Sequence, residues 1–578
     1  MAISRIKTRA IDATATSNNL NIDAGTLYLD ATNNRVGVAN TSPTVALEVT
    51  GAAKTSLDST ISGLTVGKGA GSVASNTVVG AGALAANTTA IRNTAIGNTA
   101  SASGTTGQLN TAVGYQALNQ NTTGSSNTAV GDSAGRYYTG NNAVIVGQGA
   151  VASSGGGTDI TAVGAGALNA NTTGAYSTAI GSNALANNTT GSNNTSLGFQ
   201  ALYSNTAASD NTAVGYQAGY YATGGGNSLI GAYAGLNIST GTDCVAMGKY
   251  ALSVNTTGSY NTAIGRSSLA SITTNSNSTA VGYQAGLLAT GPSLTFVGYK
   301  AGYSSNSNGS STGIGYQALY SNTTGYYNVA VGYMAGYGNT TAICNTFIGG
   351  PDNASSIAAG QATTTGSANT GVGAGAFAQN TTGINNTAIG YQSFFTTTAS
   401  DSNTGIGYRS GYIVSSGYNN TLLGAYAGQA ITSGVNNICI GYNAQASSAT
   451  VYNECTIGDV NINNLRCNDT TISSLSDVRD KTNIEDIPFG LDYIIAMRPV
   501  KFDWDRRDGS AQGRKDFGFI AQELDQVQEQ FGLAEYTRLV HKDNPDKWEA
   551  DPMKTYPILI KAIQELKAEF DEYKRTHP

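Results

Sequence analysis

Between residues 79 and 458 an aliphatic side chain followed at once by glycine returns every 16 or 17 residues, with a single interval of 24. Twenty-three glycines form the series, from Gly80, Gly97 and Gly114 through Gly349, and then from Gly373 to Gly458; Val, Ile, Leu or Met precedes each of them. Three residues beyond the glycine stands a small side chain in almost every turn, as at Ala83, Ala100, Ala117 and Ala134, the departures being Asp352 and Asn461. A period this short is one turn of a coil. The two columns predict stacked turns in which the aliphatic and the small residue face inward as two stacks. Glycine would sit where the backbone bends or approaches a neighbour closely. Segments such as Asn121–Gly124, Asn171–Gly174 and Asn322–Gly325 suit tight turns and are expected at the corners. No apolar 3.6-residue period crosses this Gly-, Asn-, Thr- and Ser-rich window, so a helical reading fails. The expectation is an all-β shaft over residues 61–460, a parallel β-solenoid or β-roll with 17-residue turns. With strands about 4.7–4.9 Å apart, 22 intervals imply a rod of roughly 105 Å.

The pattern changes at both ends. Leu27–Asp30, Val36–Val38 and Ala46–Gly51 alternate like short strands divided by turns at Asn33-Asn34 and Ser42-Pro43, which sets residues 1–60 apart. Charge divides the other end. Gly80 to Gly458 hold six Lys/Arg and seven Asp/Glu, whereas the last hundred residues from Ser476 hold sixteen and twenty-one. Residues 461–475 read as a linker, and 476–578 as a small α+β domain ending in a long helix. In that helix Leu559, Ile563, Leu566, Phe570 and Tyr573 are spaced 4, 3, 4, 3, an a/d seam for contact between three chains, or else the packed face of an amphipathic helix.

Composition narrows the function. A net charge of −6 without a basic stripe argues against nucleic acid. The start, Met1 to Arg9, has basic residues but no apolar core, and no 18-residue apolar run occurs, so neither secretion nor membrane insertion is expected. Five widely spaced cysteines without a CxxC pair suggest neither a disulfide framework nor zinc, and Cys439 reads as a small core filler. No cofactor and no metal is expected; His541, His577, Trp504 and Trp548 read as structural or surface residues. The Asn-x-Thr triplets follow from composition rather than glycosylation, and Gly155–Gly157 lack the Lys-Ser/Thr of a phosphate cradle. Tyrosine follows the grid glycine in nine turns, among them Tyr115, Tyr216, Tyr283, Tyr299, Tyr316 and Tyr333; such a ladder could stack on sugars or pack between subunits. Packing has a thermodynamic motive. A turn lined by Ala and Val gains about 0.8 kcal/mol per buried CH₂ against roughly 1–2 kcal/mol of backbone entropy per residue, so association of several chains would correct the deficit.

Two resemblances enter here. Asn110 to Ala117, Asn-Thr-Ala-Val-Gly-Tyr-Gln-Ala, is similar to the Asn-Ser-x-Ala-Ile-Gly-x-x-Ser/Ala repeat of trimeric autotransporter adhesin heads, which are three-fold left-handed parallel β-rolls; the repeat here is two or three residues longer. The string Leu475 to Ile484, then Leu491, Met497 to Trp504, Gly518 to Leu524 and Tyr556, closely resembles the self-cleaving intramolecular chaperone domain that ends phage tailspikes and tail fibres, endosialidases included.

The second resemblance maps that family's catalytic pair onto Ser476 and Lys481. A serine hydroxyl attacks only after a base takes its proton, and lysine is a base only when neutral, far below its reference pKa of about 10.4. Burial would achieve that; Asp477 and Asp480 would oppose it and Arg479 would help. The resemblance thus implies a single-turnover serine-lysine self-cleaving peptidase, with no multiple-turnover enzyme. Cleavage beside Ser476 would release the last hundred residues after they had aligned three chains, a useful device where near-identical repeats invite out-of-register pairing. The implied protein is a homotrimeric phage tail fibre or spike, made in the host cytoplasm and placed on the virion. Residues 1–60 would join tail or baseplate proteins, and the shaft would meet a host receptor or polysaccharide, with residues 350–368, around Asp352, as the place for a receptor loop. A polysaccharide-degrading tailspike is one alternative, although Asp132, Asp159, Asp210, Asp243, Asp352, Asp401 and Glu454 lie on different turns. A bacterial trimeric surface adhesin is the other, lacking the signal and anchor it would need.

Overall fold

The computed structural model describes residues 64–578 apart from 154, 307–308, 353–355, 463, 467–475, 507–511 and 543–547, and before residue 64 the backbone of five short strands. The expected turns at 33–34 and 42–43, residues 353–355 of the expected 350–368 receptor region and most of the 461–475 segment lie outside the described residues. Met1–Thr190 and Gly191–Pro578 form two compact units.

In the first unit Leu20–Ile22, Leu27–Asp30 and Arg35–Val38 run antiparallel, and Leu47–Val49 joins Arg35–Val38 in parallel. Ser59–Ile61 and Leu64–Gly67 then form a hairpin whose second strand pairs antiparallel with Thr77–Val79. From Thr77–Val79 onward the connections are parallel: Thr94–Ile96, Thr111–Val113, Thr128–Val130 and their successors to Thr178–Ile180 pair residue for residue one turn apart. The second unit repeats this ladder from Thr195–Leu197 to Cys455–Ile457. Thr346–Ile348 and Thr370–Val372 stay in register across the long interval, so the ladder is intact there. The shaft is a β-solenoid with one three-residue strand per turn.

Alternation along so short a strand sends only the middle residue inward. The buried column is therefore Ala95, Ala112, Ala129, Ile145 and Ala162, two before the glycine, joined by Ala100, Ala117 and Ala134 three after it and Leu118, Leu168 and Leu185 four after it. Here the sequence expectation is corrected. The aliphatic residue next to the glycine faces outward; Ile180, Ile264 and Ile389 stay 36–38% exposed. The small column does face inward, and Cys439 is fully buried as expected.

Two details explain how so thin a core closes. Gly114 adopts φ 139°, and a Cβ there would stand 2.2 Å from the carbonyl oxygen of Gly131, so only glycine lets successive turns stack. Where the inward strand residue is large, the inner face compensates: Phe296 packs where Gly302 replaces a leucine, and a Cβ on Gly302 would lie 2.4 Å from the ring. The asparagines of the Asn-Thr-Ala segments are buried beside the strand rather than merely turning corners. Asn403 Oδ1 accepts from the backbone N–H of Asn420 at 3.0 Å, while Asn403 Nδ2 donates to Gly417 O at 2.9 Å; the same links run through Asn369, Asn386, Asn420 and Asn437. Each amide thereby satisfies the backbone that its burial would strand.

The C-terminal region contains α1 (Leu491–Ala496), a hairpin of Val500–Asp503 with Lys515–Gly518, α2 (Ala521–Gln530), α3 (Ala534–Thr537), the short pair Val540–His541 with Glu549–Ala550, and α4 (Tyr556–Thr576). Tyr493, Met497, Leu524, Val527, Leu539, Val540 and Ile558 make its core. The motif residues Met497 and Leu524 are thus packing residues.

Candidate functional site

Ser476 and Lys481 meet because of what lies between them. Asp477 caps a single 3₁₀ turn, Val478–Asp480, with its Oδ1 accepting from Arg479 N at 2.9 Å. The chain leaves the turn at Lys481, whose N–H donates to Val478 O at 3.2 Å, and Lys481 Nζ comes to 2.5 Å from Ser476 Oγ. Arg479 folds back onto the Asp477 carboxylate, Nη2 to Oδ2 at 2.5 Å. The bonds from its guanidinium and, second, from its backbone N–H hold the Asp477 carboxyl below the usual carboxylate range. The competition posed by the sequence is settled for this acid: its charge is taken up by Arg479. Ser476 and Lys481 are both exposed. With Lys481 protonated, Nζ donates in this hydrogen bond; a neutral lysine would instead accept from Oγ, the direction in which a serine becomes a nucleophile.

Helix α4 has two apolar faces. Ile558 and Ala562 turn onto the domain, and Glu565 Oε2 accepts from Leu491 N at 2.7 Å, fixing α4 against the start of α1. Gly490 permits that approach, since a Cβ there would lie 2.6 Å from Ala562 N. The a/d seam is on the other face: Leu559, Ile563, Leu566, Phe570 and Tyr573 are 40–60% exposed. Self-packing therefore uses a stripe that the heptad reading passed over, and the seam itself is exposed on the single chain.

Shaft residues singled out by the sequence fall in several places. Asp352, expected near an exposed receptor loop, is instead buried; its carboxylate accepts from the Gln392 amide and from Ile357 N, and Gln392 Oε1 accepts from Arg409 Nε at 2.7 Å, while Ala359, whose carbonyl accepts from Gly336 N, takes the alanine place of that turn. Asp210 and Asp243 do share a feature: they line one open groove of about 660 Å³ with Thr223 and Gly226 between them. Trp504 Nε1 donates to Asp516 at 3.3 Å, and His577 stacks on Tyr573. Among the described residues no group of three His, Cys, Asp or Glu side chains could hold a metal ion, and no helix is long and apolar enough to cross a membrane.

A long parallel β-solenoid ahead of a small α+β region with a terminal helix fits the class of tail fibres and tailspikes that carry a C-terminal chaperone. Residues 476–533 match the family model described as chaperone of endosialidase, so the match opens on Ser476 and takes in Lys481 and the Gly518–Leu524 motif. No curated protein and no solved structure matches the chain.

Proposed function

We propose that this chain is the subunit of a homotrimeric phage tail fibre or spike, attached to the virion through residues 1–60 and meeting the host surface with its shaft. Its C-terminal region aligns three chains and then releases itself by attack of Ser476, with Lys481 as the base. The observation that carries the reading is the pair of apolar surfaces left uncovered by the single chain, one on each region. On α4 it is the Leu559–Tyr573 seam. On the shaft it is the outer face of the strand ladder, where mostly threonine and then a column of Val, Ile, Leu or Met face outward and none of the strand positions is charged. Contiguous apolar surface of this kind marks association. Three copies joined at the helix seams bring identical strand faces together in one register, which near-identical repeats could not choose unaided.

Covering by sister copies also bears on the chemistry. Desolvation at an assembled interface favours the neutral form of a lysine, the form that can take the Ser476 proton. The developing oxyanion would be held by backbone donors. Cleavage then leaves a shaft trimer whose aligner is gone, and whose persistence is governed by its unfolding rate.

Mass spectrometry of the purified wild type beside Ser476→Ala and Lys481→Ala tests the reading. The wild type is expected to lose about 11 kDa from its 58.8 kDa, while both variants stay whole. A full-length wild type that is nonetheless a heat-resistant trimer rejects self-release.

A further inference from the structure

We propose that one side of the shaft, carrying tyrosine ladders with cations set between them, binds an extended anionic polysaccharide. The inference deepens the reading of the shaft as a host-contacting surface and rests on it.

Tyr283, Tyr299, Tyr316 and Tyr333, each just after a grid glycine, stack in a column with ring centroids 5.5, 5.0 and 4.8 Å apart and planes within 13°. Tyr303, Tyr320 and Tyr337, five after the glycine, form a second column at 5.0 and 5.1 Å. Lys300 lies between the two, its Nζ 5.4 Å from the ring centroids of both Tyr299 and Tyr303. Farther along, Tyr391 and Tyr408 stack at 5.3 Å, as do Phe395 and Tyr412. Arg409 occupies the corresponding place, 5.4 Å from the Tyr408 ring and 5.0 Å from that of Tyr412. Other turns put an amide at that position: Gln200, Gln217, Gln284, Gln317 and Gln392.

Charge follows the same division. Of the six Lys/Arg between Gly80 and Gly458, five (Arg136, Lys249, Arg266, Lys300, Arg409) stand one to five residues after a grid glycine. Five of the seven acids (Asp159, Asp210, Asp243, Asp401, Glu454) stand four to six residues before one, and a sixth, Asp352, is buried. Most cations and most carboxylates are therefore on separate columns, the exceptions being Arg92, five before Gly97, and Asp132, one after Gly131, and the cations of the first group share their side with the tyrosines.

The geometry selects the ligand. Ring faces inside a column are covered by neighbouring rings, so the surface offers ring edges and phenol hydroxyls turn after turn, with an amide or, at Lys300 and Arg409, a cation beside them. That is a hydrogen-bonding track with positive charge, poor as a dry protein interface and fitted to a polymer bearing hydroxyls and spaced carboxylates. The uncharged strand face is the better candidate for sister chains, which leaves this side free. Cations resting over tyrosine rings are held in place yet stay exposed enough to pair with an anion.

The test uses the purified trimeric shaft, with alginate and polygalacturonate as uronic-acid polymers and dextran as the neutral comparator, immobilised for surface plasmon resonance. Lys300→Gln and Arg409→Gln keep the fold plausible because glutamine already occupies that column. The wild type is expected to bind a uronic-acid polymer and not dextran, with affinity falling as salt rises. The double variant should bind at least tenfold more weakly, and Asp210→Asn, on the acidic column, should bind no more weakly than wild type. Equal binding of dextran, full binding by the double variant, or no binding of either uronate by the wild type overturns the proposal. Sedimentation and mass of the same samples separate the two claims: a processed trimer that ignores the uronates refutes this inference alone, whereas a monomer refutes the reading beneath it.

Discussion

The shaft and the C-terminal region differ in where their apolar side chains go. In the shaft every turn buries one strand residue and one or two of its inner neighbours, and sends an equally apolar residue outward. In the C-terminal region a compact cluster around Tyr493 and Leu524 takes most of the burial, and the outward apolar residues are gathered on one helix. A repeating structure cannot concentrate its unsatisfied surface; each turn carries the same small share, and only length makes it large. A motif-built domain can place that surface in a single seam. The difference is one of distribution: the domain gathers its exposed apolar side chains into one short seam, and the shaft spreads them along its length.

The sharpest way to break this comparison uses two adjacent residues. Ala388 is fully buried and Ile389 faces out, on the same strand. Ala388→Lys puts an unpaired charge in the core and should cost about 3 kcal/mol or more, seen as a large loss of thermal stability in any oligomeric state. Ile389→Lys should change the stability of the single chain by under about 0.5 kcal/mol. It should nonetheless weaken assembly, read as a drop in trimer by sedimentation. Equal effects on assembly from Ile389→Lys and from a lysine on the tyrosine side, at Gln317, would show that the strand face has no special part in association.

How much of this was legible beforehand depends on what a period can encode. The 17-residue grid told of stacked turns, and the order of motifs from Ser476 to Leu524 told of the chaperone, because both are properties of spacing along the chain. Which column faces inward is not. The invariant aliphatic beside each glycine points to the core only if the core is the constant part of a repeat. Here the core varies in compensating pairs, as Phe296 with Gly302 and Phe347 with Gly360, while the outer column stays uniform. The informative signal was the strand centre, where Ala, Phe, Leu and Gly exchange but no charge intrudes. The asparagines misled for a related reason: their turn preference is local, whereas the amide ladder exists only once turns are stacked. In the C-terminal region Lys481 stands five positions after Ser476, and that spacing alone does not bring them together; the Asp477 cap and its 3₁₀ turn do.

A smaller effect sharpens the picture of the shaft. Asn403→Leu removes the acceptor for Asn420 N–H and the donor to Gly417 O, both buried. The expected loss is about 1–3 kcal/mol, measured as a lowered denaturant midpoint for the shaft, with assembly of the C-terminal region unaffected. Asn385→Gly, at an exposed corner whose φ of 58° glycine accepts, should be near neutral. If the two cost the same, the ladder is a packing accident rather than the means by which a thin core keeps its backbone satisfied.

The smallest effect belongs to the Asp477–Arg479 pair, and its sign can be worked out. The Asp477 carboxyl lies below its ordinary value of 3.8 in the folded turn, so the pair supports the turn at every pH above that value and loses its grip as pH falls through the lower folded value. Both groups are open to water, so the contribution is screened and modest. In uncleavable Ser476→Ala protein with ¹³C-labelled aspartate carboxyls, the Asp477 titration should sit below the free-peptide midpoint. Arg479→Gln should move it back up, because the larger of the two causes has been removed while the backbone N–H remains. A midpoint that ignores the substitution would mean that the guanidinium does not hold this acid, leaving its charge directed at Lys481 and the serine–lysine approach governed by the C-terminal region's own packing.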